Sequence, residues 1–306
     1  MFHTPNFLTI GTTILGNSDF QFQVDTTKAG SASDTFILPL SSGTTNFTID
    51  WGDGNTDLIT AYNQAELTHV YSSSGTYNIS VDGIFNGVYF NNSGDKLKII
   101  SIDNWGANEW YSLTSSFFGC ANMTSTYTDA LKFKNSGTDA NGGFRACTLF
   151  NGTVNDWDWS KIDRVDYMFL SCNAFNQPMN LIDTSNVVFW TYFLGYCPSF
   201  NQDISNFDFS STSSLSSFLE SCTSFNQSLA AWDISGITSM GNVLKNTGLS
   251  TANYDATLIG WEAGTHNNSI TLNATGLTYT LGGAAETART TLVGTDLWTI
   301  TDAGGV

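Results

Sequence analysis

The chain has 306 residues, 41% of them hydrophobic and only 12% charged, with 27 acids against 10 bases and a net charge of −17. That apolar content excludes a disordered polymer, while the acidic balance argues against nucleic acid and anionic membranes as partners. No window reaches the ~18 consecutive apolar residues of a spanning helix, and at roughly 150 residues per domain the length suggests about two domains.

Taken in chain order, residues 1–30 read as an N-terminal arm able to dock onto a partner. No Lys or Arg precedes Lys28, and Pro5, Gly11 and Gly16 interrupt the apolar run, which argues against a secretory signal. Gln21-Phe22-Gln23-Val24 alternates as a strand does. Residues 31–84 follow as short strands: Phe36-Ile37-Leu38, Phe47-Thr48-Ile49-Asp50 and Tyr77-Asn78-Ile79-Ser80-Val81. Between the last two lie Trp51-Gly52-Asp53-Gly54, His69-Val70-Tyr71 and Gly75-Thr76-Tyr77. This signature is similar to the PKD module, and the resemblance implies an immunoglobulin-like β-sandwich serving as a spacer or support. Asp50, Asp53 and Asp57 could suggest a calcium loop, but no Glu stands at the twelfth position, so turn chemistry is the expectation. His69 is expected to pack against that turn and not to act as a base. Residues 85–115 read as a connector, with Trp105 and Trp110 as interface core; a sugar platform is the alternative.

From residue 116 to 250 the sequence repeats. Cys120, Cys147, Cys172, Cys197 and Cys222 are separated by 27, 25, 25 and 25 residues. An odd number of cysteines at near-constant spacing argues against a disulfide framework, and no zinc spacing is present. Three residues after the last four come Phe150, Phe175, Phe200 and Phe225, each followed by an asparagine: Asn151, Asn176, Asn201 and Asn226. Eleven residues after the same cysteines fall Asp158, Asp183, Asp208 and Asp233, each with Ser two residues on. Such self-similarity predicts a solenoid of stacked units. Apolar residues at −4, −3, 0 and +3 from each Cys predict a short helical turn, and Trp232-Asp233-Ile234-Ser235 predicts a short strand. One strand and one helical turn per period is the leucine-rich-repeat plan.

In that arrangement the cysteines are inert core residues, with a reactive thiol as the alternative. The asparagines form an amide ladder. The aspartates accept nearby donors in Asx turns, with a divalent-cation column as the sharper alternative. No metal, cofactor or catalytic residue is assigned. Trp190, Tyr192, Tyr196, Phe207 and Phe209 depart from the consensus; they form either a recognition patch or extra core packing. Residues 251–306 read as a C-terminal cap.

Met168-Phe169-Leu170-Ser171-Cys172-Asn173-Ala174-Phe175-Asn176-Gln177, and Cys222 to Gln227 running on to Trp232-Asp233-Ile234-Ser235, resemble the BspA-like bacterial surface repeat over about residues 105–250. The repeat around Cys120 departs, with Met123 in the Phe position and an insertion carrying Lys132, Lys134 and Gly142-Gly143. Trp298-Thr299-Ile300-Thr301-Asp302 is similar to that family's closing segment.

The fold class expected is therefore mainly β with short helical turns: a PKD/Ig-like sandwich, a leucine-rich-type solenoid and a cap. The family resemblance implies non-enzymatic adhesion or recognition. Without an export signal, the expected setting is a bacteriophage virion surface (tail fibre, spike or capsid decoration). There the N-terminal region would attach to other virion proteins and the solenoid would contact a host protein or glycan. The alternatives are a bacterial cell-surface or secreted adhesin, and a polysaccharide-active enzyme using Asp156/Asp158 or Asp163/Asp166 as a carboxylate pair.

Overall fold

The computed structural model describes residues 19–306. Among the described residues the protein is mainly β, with two α-helices and several sheets, none closed into a barrel.

The strands β1 (Phe20–Asp25), β2 (Thr35–Ile37), β3 (Asn46–Asp50), β4 (Thr56–Ile59), β5 (Thr68–Val70), β6 (Thr76–Ile84) and β7 (Ile99–Asn104) build the N-terminal part. A main sheet runs in the order β4-β3-β6-β1-β7, and β2 pairs β5 in a second, two-stranded sheet. In β1 the residues Phe20, Phe22 and Val24 alternate inward, as a half-buried strand requires. The expected arm boundary at residue 30 therefore does not hold over the described residues: β1 is an interior strand, held between β6 and β7. The rest of the arm lies outside the described residues. The 85–115 connector is likewise corrected, because β7 belongs to the main sheet and Trp110 in β8 (Glu109–Trp110) is fully buried.

β7 also pairs in parallel with β9 (Thr124–Ser125), so the sheet runs directly into the repeats. Trp105 sits at this junction and touches Phe20 and Trp110 on one side and Phe117, Tyr127 and Trp157 on the other. Both Trp105 and Trp110 are 0% exposed, which removes the sugar-platform alternative.

In the repeats, parallel pairing continues from β10 (Lys132–Phe133) to β8 and from β11 (Thr138–Asp139) to β12 (Ile162–Arg164), then through single bridges Arg164–Phe189 and Ser214–Ser239. Two expectations are corrected. The stretch before each Cys is not helical. Met168, Leu170 and Cys172 donate backward to Val165, Tyr167 and Phe169, whereas Tyr167, Phe169 and Ser171 donate across to Thr191, Phe193 and Gly195 of the next turn. Tight local turns and inter-turn bonds thus alternate residue by residue, which no helix can do. The Trp-Asp-x-Ser stretch is not a strand either; it turns, and pairing begins about four residues later.

Beyond residue 250 the pairing persists: Met240 bridges Leu272 in β13 (Thr271–Asn273), and β13 pairs with β14 (Thr299–Thr301) in parallel. The parallel pairing thus continues through the segment expected as a C-terminal cap, which also carries two helices, α1 (Thr251–Ala263) and α2 (Ala284–Gly294). Helix α1 starts at Ser250, whose hydroxyl accepts from the Asn253 N–H, and buries Tyr254, Thr257, Leu258 and Trp261 on one face. No helix among the described residues is long and apolar enough to cross a membrane.

Candidate functional site

Four columns of side chains hold the turns in register. The phenylalanines stack with centroids 6.2, 6.0 and 6.1 Å apart and planes within 6° for Phe150–Phe175, Phe175–Phe200 and Phe200–Phe225. The thiols of Cys147, Cys172, Cys197 and Cys222 each donate to a carbonyl of the turn before, Phe117, Phe144, Phe169 and Leu194, at 2.9–3.0 Å. All five cysteines, Cys120 included, are buried and unbridged. Burial pushes every one of these thiols up, that of Cys222 to about 12. A protonated, enclosed thiol is a poor nucleophile and metal ligand.

The asparagine amides act as backbone surrogates. Asn151, Asn176 and Asn201 each offer Oδ1 to the N–H of the asparagine one turn on, at 2.8–2.9 Å. Asn226 Oδ1 serves Ser250 in the same way. Gln227 Nε2 reaches the Asn201 carbonyl and Oδ1 at 3.2 and 3.0 Å. Asn201→Ala removes the acceptor for Asn226 N–H and is expected to cost about 1–3 kcal/mol, read from the urea midpoint. An unchanged midpoint would show that the amide column carries no stability.

The aspartate column makes Asx turns: Asp183, Asp208 and Asp233 accept the N–H two residues on at 3.1, 2.8 and 2.9 Å, and Asp158 accepts the Ser160 hydroxyl. Hydrogen bonds from Ser185 and from Ser235 hold the carboxyls of Asp183 and Asp233 below their ordinary value. Because the folded value is the lower one, this contribution is present above the ordinary carboxylate range and is lost as pH falls through the depressed value. Asp183→Asn/Asp233→Asn should therefore flatten the acid limb of a stability-versus-pH curve; an unaltered limb would refute the assignment.

One carboxylate of each pair weighed as a catalytic dyad is similarly engaged. Lys161 lies 3.3 Å from Asp158, and Asp166 accepts Arg164 Nε and Thr191 N–H, both at 2.8 Å. Among the described residues no group of three His, Cys, Asp or Glu side chains is arranged to hold a metal ion.

The turn at Trp51-Gly52-Asp53-Gly54 is built by its own side chains. His69 stacks on Trp51 at 4.8 Å and 5°, and its Nε2 meets Asp53 Oδ2 at 2.9 Å. Burial raises the Asp53 carboxyl, but the bonds from His69 and Asn55 outweigh it and hold the group below its ordinary value. The Tyr71 hydroxyl donates to the Trp51 carbonyl, and the Tyr71 ring stacks on Tyr77 at 3.7 Å. Asp50 receives Gly52 N–H and Asp57 receives the Trp51 indole, so all three carboxylates serve the turn. Gly52, at φ 80°, leaves only 2.3 Å between a Cβ and the Asn78 carbonyl.

The five residues weighed as a recognition patch divide. Trp190, Phe207 and Phe209 are 1%, 4% and 2% exposed, and their patch assignment is corrected. Trp190 shares its column with Ala140, Val165, Leu215 and Met240, all buried, and Phe207 occupies the place held by Trp157 and Trp232 in other turns. Tyr192 is half-buried and Tyr196 is 43% exposed. These two stack on each other, and Tyr192 stacks on Tyr167 at 5.7 Å and 17°. Arg145 lies over both Phe118 and Tyr167, at 4.7 and 5.5 Å. At the other end the Tyr196 hydroxyl donates to Glu220, which Lys245 meets at 2.9 Å. Burial pushes the Glu220 carboxyl up, and the donors from Lys245, Ser217 and Tyr196 more than offset it. Phe118, Arg145, Tyr167, Tyr192, Tyr196, Glu220 and Lys245 thus form one unbroken ribbon across the turns. Sequence reading missed Phe118, Arg145, Tyr167, Glu220 and Lys245; their offsets of −2 and, for Tyr167, −5 from the Cys position (Thr247 in the last turn) were the available signal.

A family model described as a Mycoplasma protein of unknown function, DUF285, matches residues 138–257. The match falls within the stretch resembling BspA-like repeats and is consistent with that resemblance. No curated protein and no solved structure matches the chain.

Proposed function

We propose that the chain is a non-enzymatic recognition protein displayed at a surface. In this reading the stacked turns are a BspA-like, leucine-rich-type solenoid, and the N-terminal sheets are a PKD-like module that attaches it. The observation carrying the reading is the aromatic ribbon from Phe118 to Lys245: it follows the stack on its outer side, while the apolar columns fill the interior. The family match over residues 138–257 supports the BspA-like part. A solenoid offers such a face without disturbing its core, since outward positions vary freely.

The test is adhesion of the fluorescently labelled full chain to whole bacterial cells. Saturable binding is expected, and it should fall at least tenfold in a Tyr167→Asn/Tyr192→Asn/Tyr196→Asn variant. No saturable binding, or hydrolysis of a polysaccharide by the pure chain, would overturn the reading. Display on a virion or on a bacterial envelope is separated by mass spectrometry of purified particles and of envelope fractions; peptides confined to the envelope remove the virion placement.

A further inference from the structure

The backbone beneath the ribbon singles out its tyrosines. At offset −5 every turn holds a left-handed residue: Ser115, Gly142, Tyr167, Tyr192, Ser217 and Asn242, with φ between 51° and 61°. At offset −1 Gly119, Ala146, Ser171, Tyr196, Ser221 and Asn246 are left-handed too, with φ between 56° and 84°. The turn geometry asks only for a residue at ease there, and glycine, asparagine and serine fill most positions. A large β-region side chain such as tyrosine is disfavoured in this conformation. Three of them stand there together, on the outside, where Tyr196 gains little burial. Strained residues gathered in one surface patch point to function and not to fold maintenance.

We propose that this face binds an uncharged, extended polysaccharide laid along the stacking direction, its successive sugar rings seated against Tyr167, Tyr192 and Tyr196. Three observations select this ligand class. Tyr167 and Tyr192 repeat the same group in adjacent turns, nearly parallel at 5.7 Å; a polymer of like units meets such a row in register, whereas a globular partner has no matching repeat. Of the charges here, Lys245 is paired with Glu220 and Arg164 with Asp166, while Arg145 is held over the Phe118 and Tyr167 rings and leaves the ribbon a single net positive charge. A chain of net charge −17 that keeps this face near neutrality suits a neutral polymer better than an acidic one. Tyrosine supplies an apolar ring and a hydroxyl, the two contacts a sugar ring offers in return. Gly195 lets the Tyr192 ring lie close against the backbone, since a Cβ there would stand 2.8 Å from that ring.

This inference rests on the recognition reading, and the experiment keeps the two apart. The full chain is run on native gels containing laminarin, soluble starch, yeast mannan or galactan, with polygalacturonate as the acidic comparison. Retardation by at least one neutral polysaccharide is expected. It should be abolished in Tyr167→Asn/Tyr192→Asn/Tyr196→Asn, which should melt with the parent because asparagine already occupies these columns. If that variant melts early, Tyr196→Asn alone should weaken binding about tenfold. Retardation by none of the neutral polymers, or by polygalacturonate alone, overturns the proposal, as does equal retardation of the triple variant. Labelled chain that binds whole cells after periodate but not after protease would sink the glycan assignment and leave recognition standing. Failure to bind any cell would sink both.

Discussion

Replacing Lys98 by Met is expected to cost about 3–5 kcal/mol, the scale of breaking a buried ion pair by removing one partner. Lys98 is 0% exposed, and its ammonium donates to the Ala32 and Thr35 carbonyls at 2.7 Å and to Ser31 Oγ at 2.9 Å. Asp95, 1% exposed, stands 3.8 Å away and takes the N–H groups of Ser31 and Ile37. Together they tie the 31–37 segment to the turn entering β7. Without the ammonium, Asp95 is a buried charge with no counter-ion. Asp95→Asn/Lys98→Met should therefore recover part of the loss, because the uncompensated charge is gone. Guanidinium titrations of the three proteins decide it; a Lys98→Met loss below about 1 kcal/mol, the scale of an exposed pair, would show the site to be solvated.

The second large effect is alkaline unfolding. A thiol whose folded value is raised contributes stability that is whole below the unfolded thiol's range and drains away as pH climbs above it. The unfolded chain then releases protons that the folded chain retains. Each thiol costs about 1.4 kcal/mol per pH unit in that window, and five act together. A typical stability of ~5–15 kcal/mol is exhausted within a few units. Stability should hold near neutrality and fall steeply from about pH 9 upward. Ellman's reagent should find no reactive thiol in the folded chain and all five after denaturation. Reaction of even one native thiol at neutral pH, or a flat stability curve through the thiol range, would contradict the buried ladder.

How much of this was legible in the sequence differs between columns and surfaces. The spacing of Cys, Phe, Asn and Asp was readable because a translational stack forces identical environments on residues one period apart. Side-chain column and hydrogen bond then follow from type: Phe175 on Phe200, Asn176 on Asn201. The local backbone was not readable in the same way. Met168, Phe169 and Cys172 have helical spacing, yet left-handed Tyr167 and Ser171 break the helix every four residues. The partners that decide this lie one turn away, beyond any local window. Trp190 and Phe207 looked exceptional by residue type, although both occupy columns filled by apolar side chains elsewhere. Column membership, and not likeness to a consensus, decides burial. The Asp95–Lys98 pair left no signal, since short-range charge pairs normally mark solvated turns.

Because each asparagine bonds only its immediate neighbours, the chain can be cut and rejoined by whole periods. Excising residues 173–197, one period of 25, would join Cys172 to Pro198 with every column still in phase. The molecule would shorten by a single step of ~4.8 Å, and lengthening by duplication would follow the same rule. A chain built this way would be a ruler graduated in its own repeats, whose reach heredity could adjust without redesigning its interior.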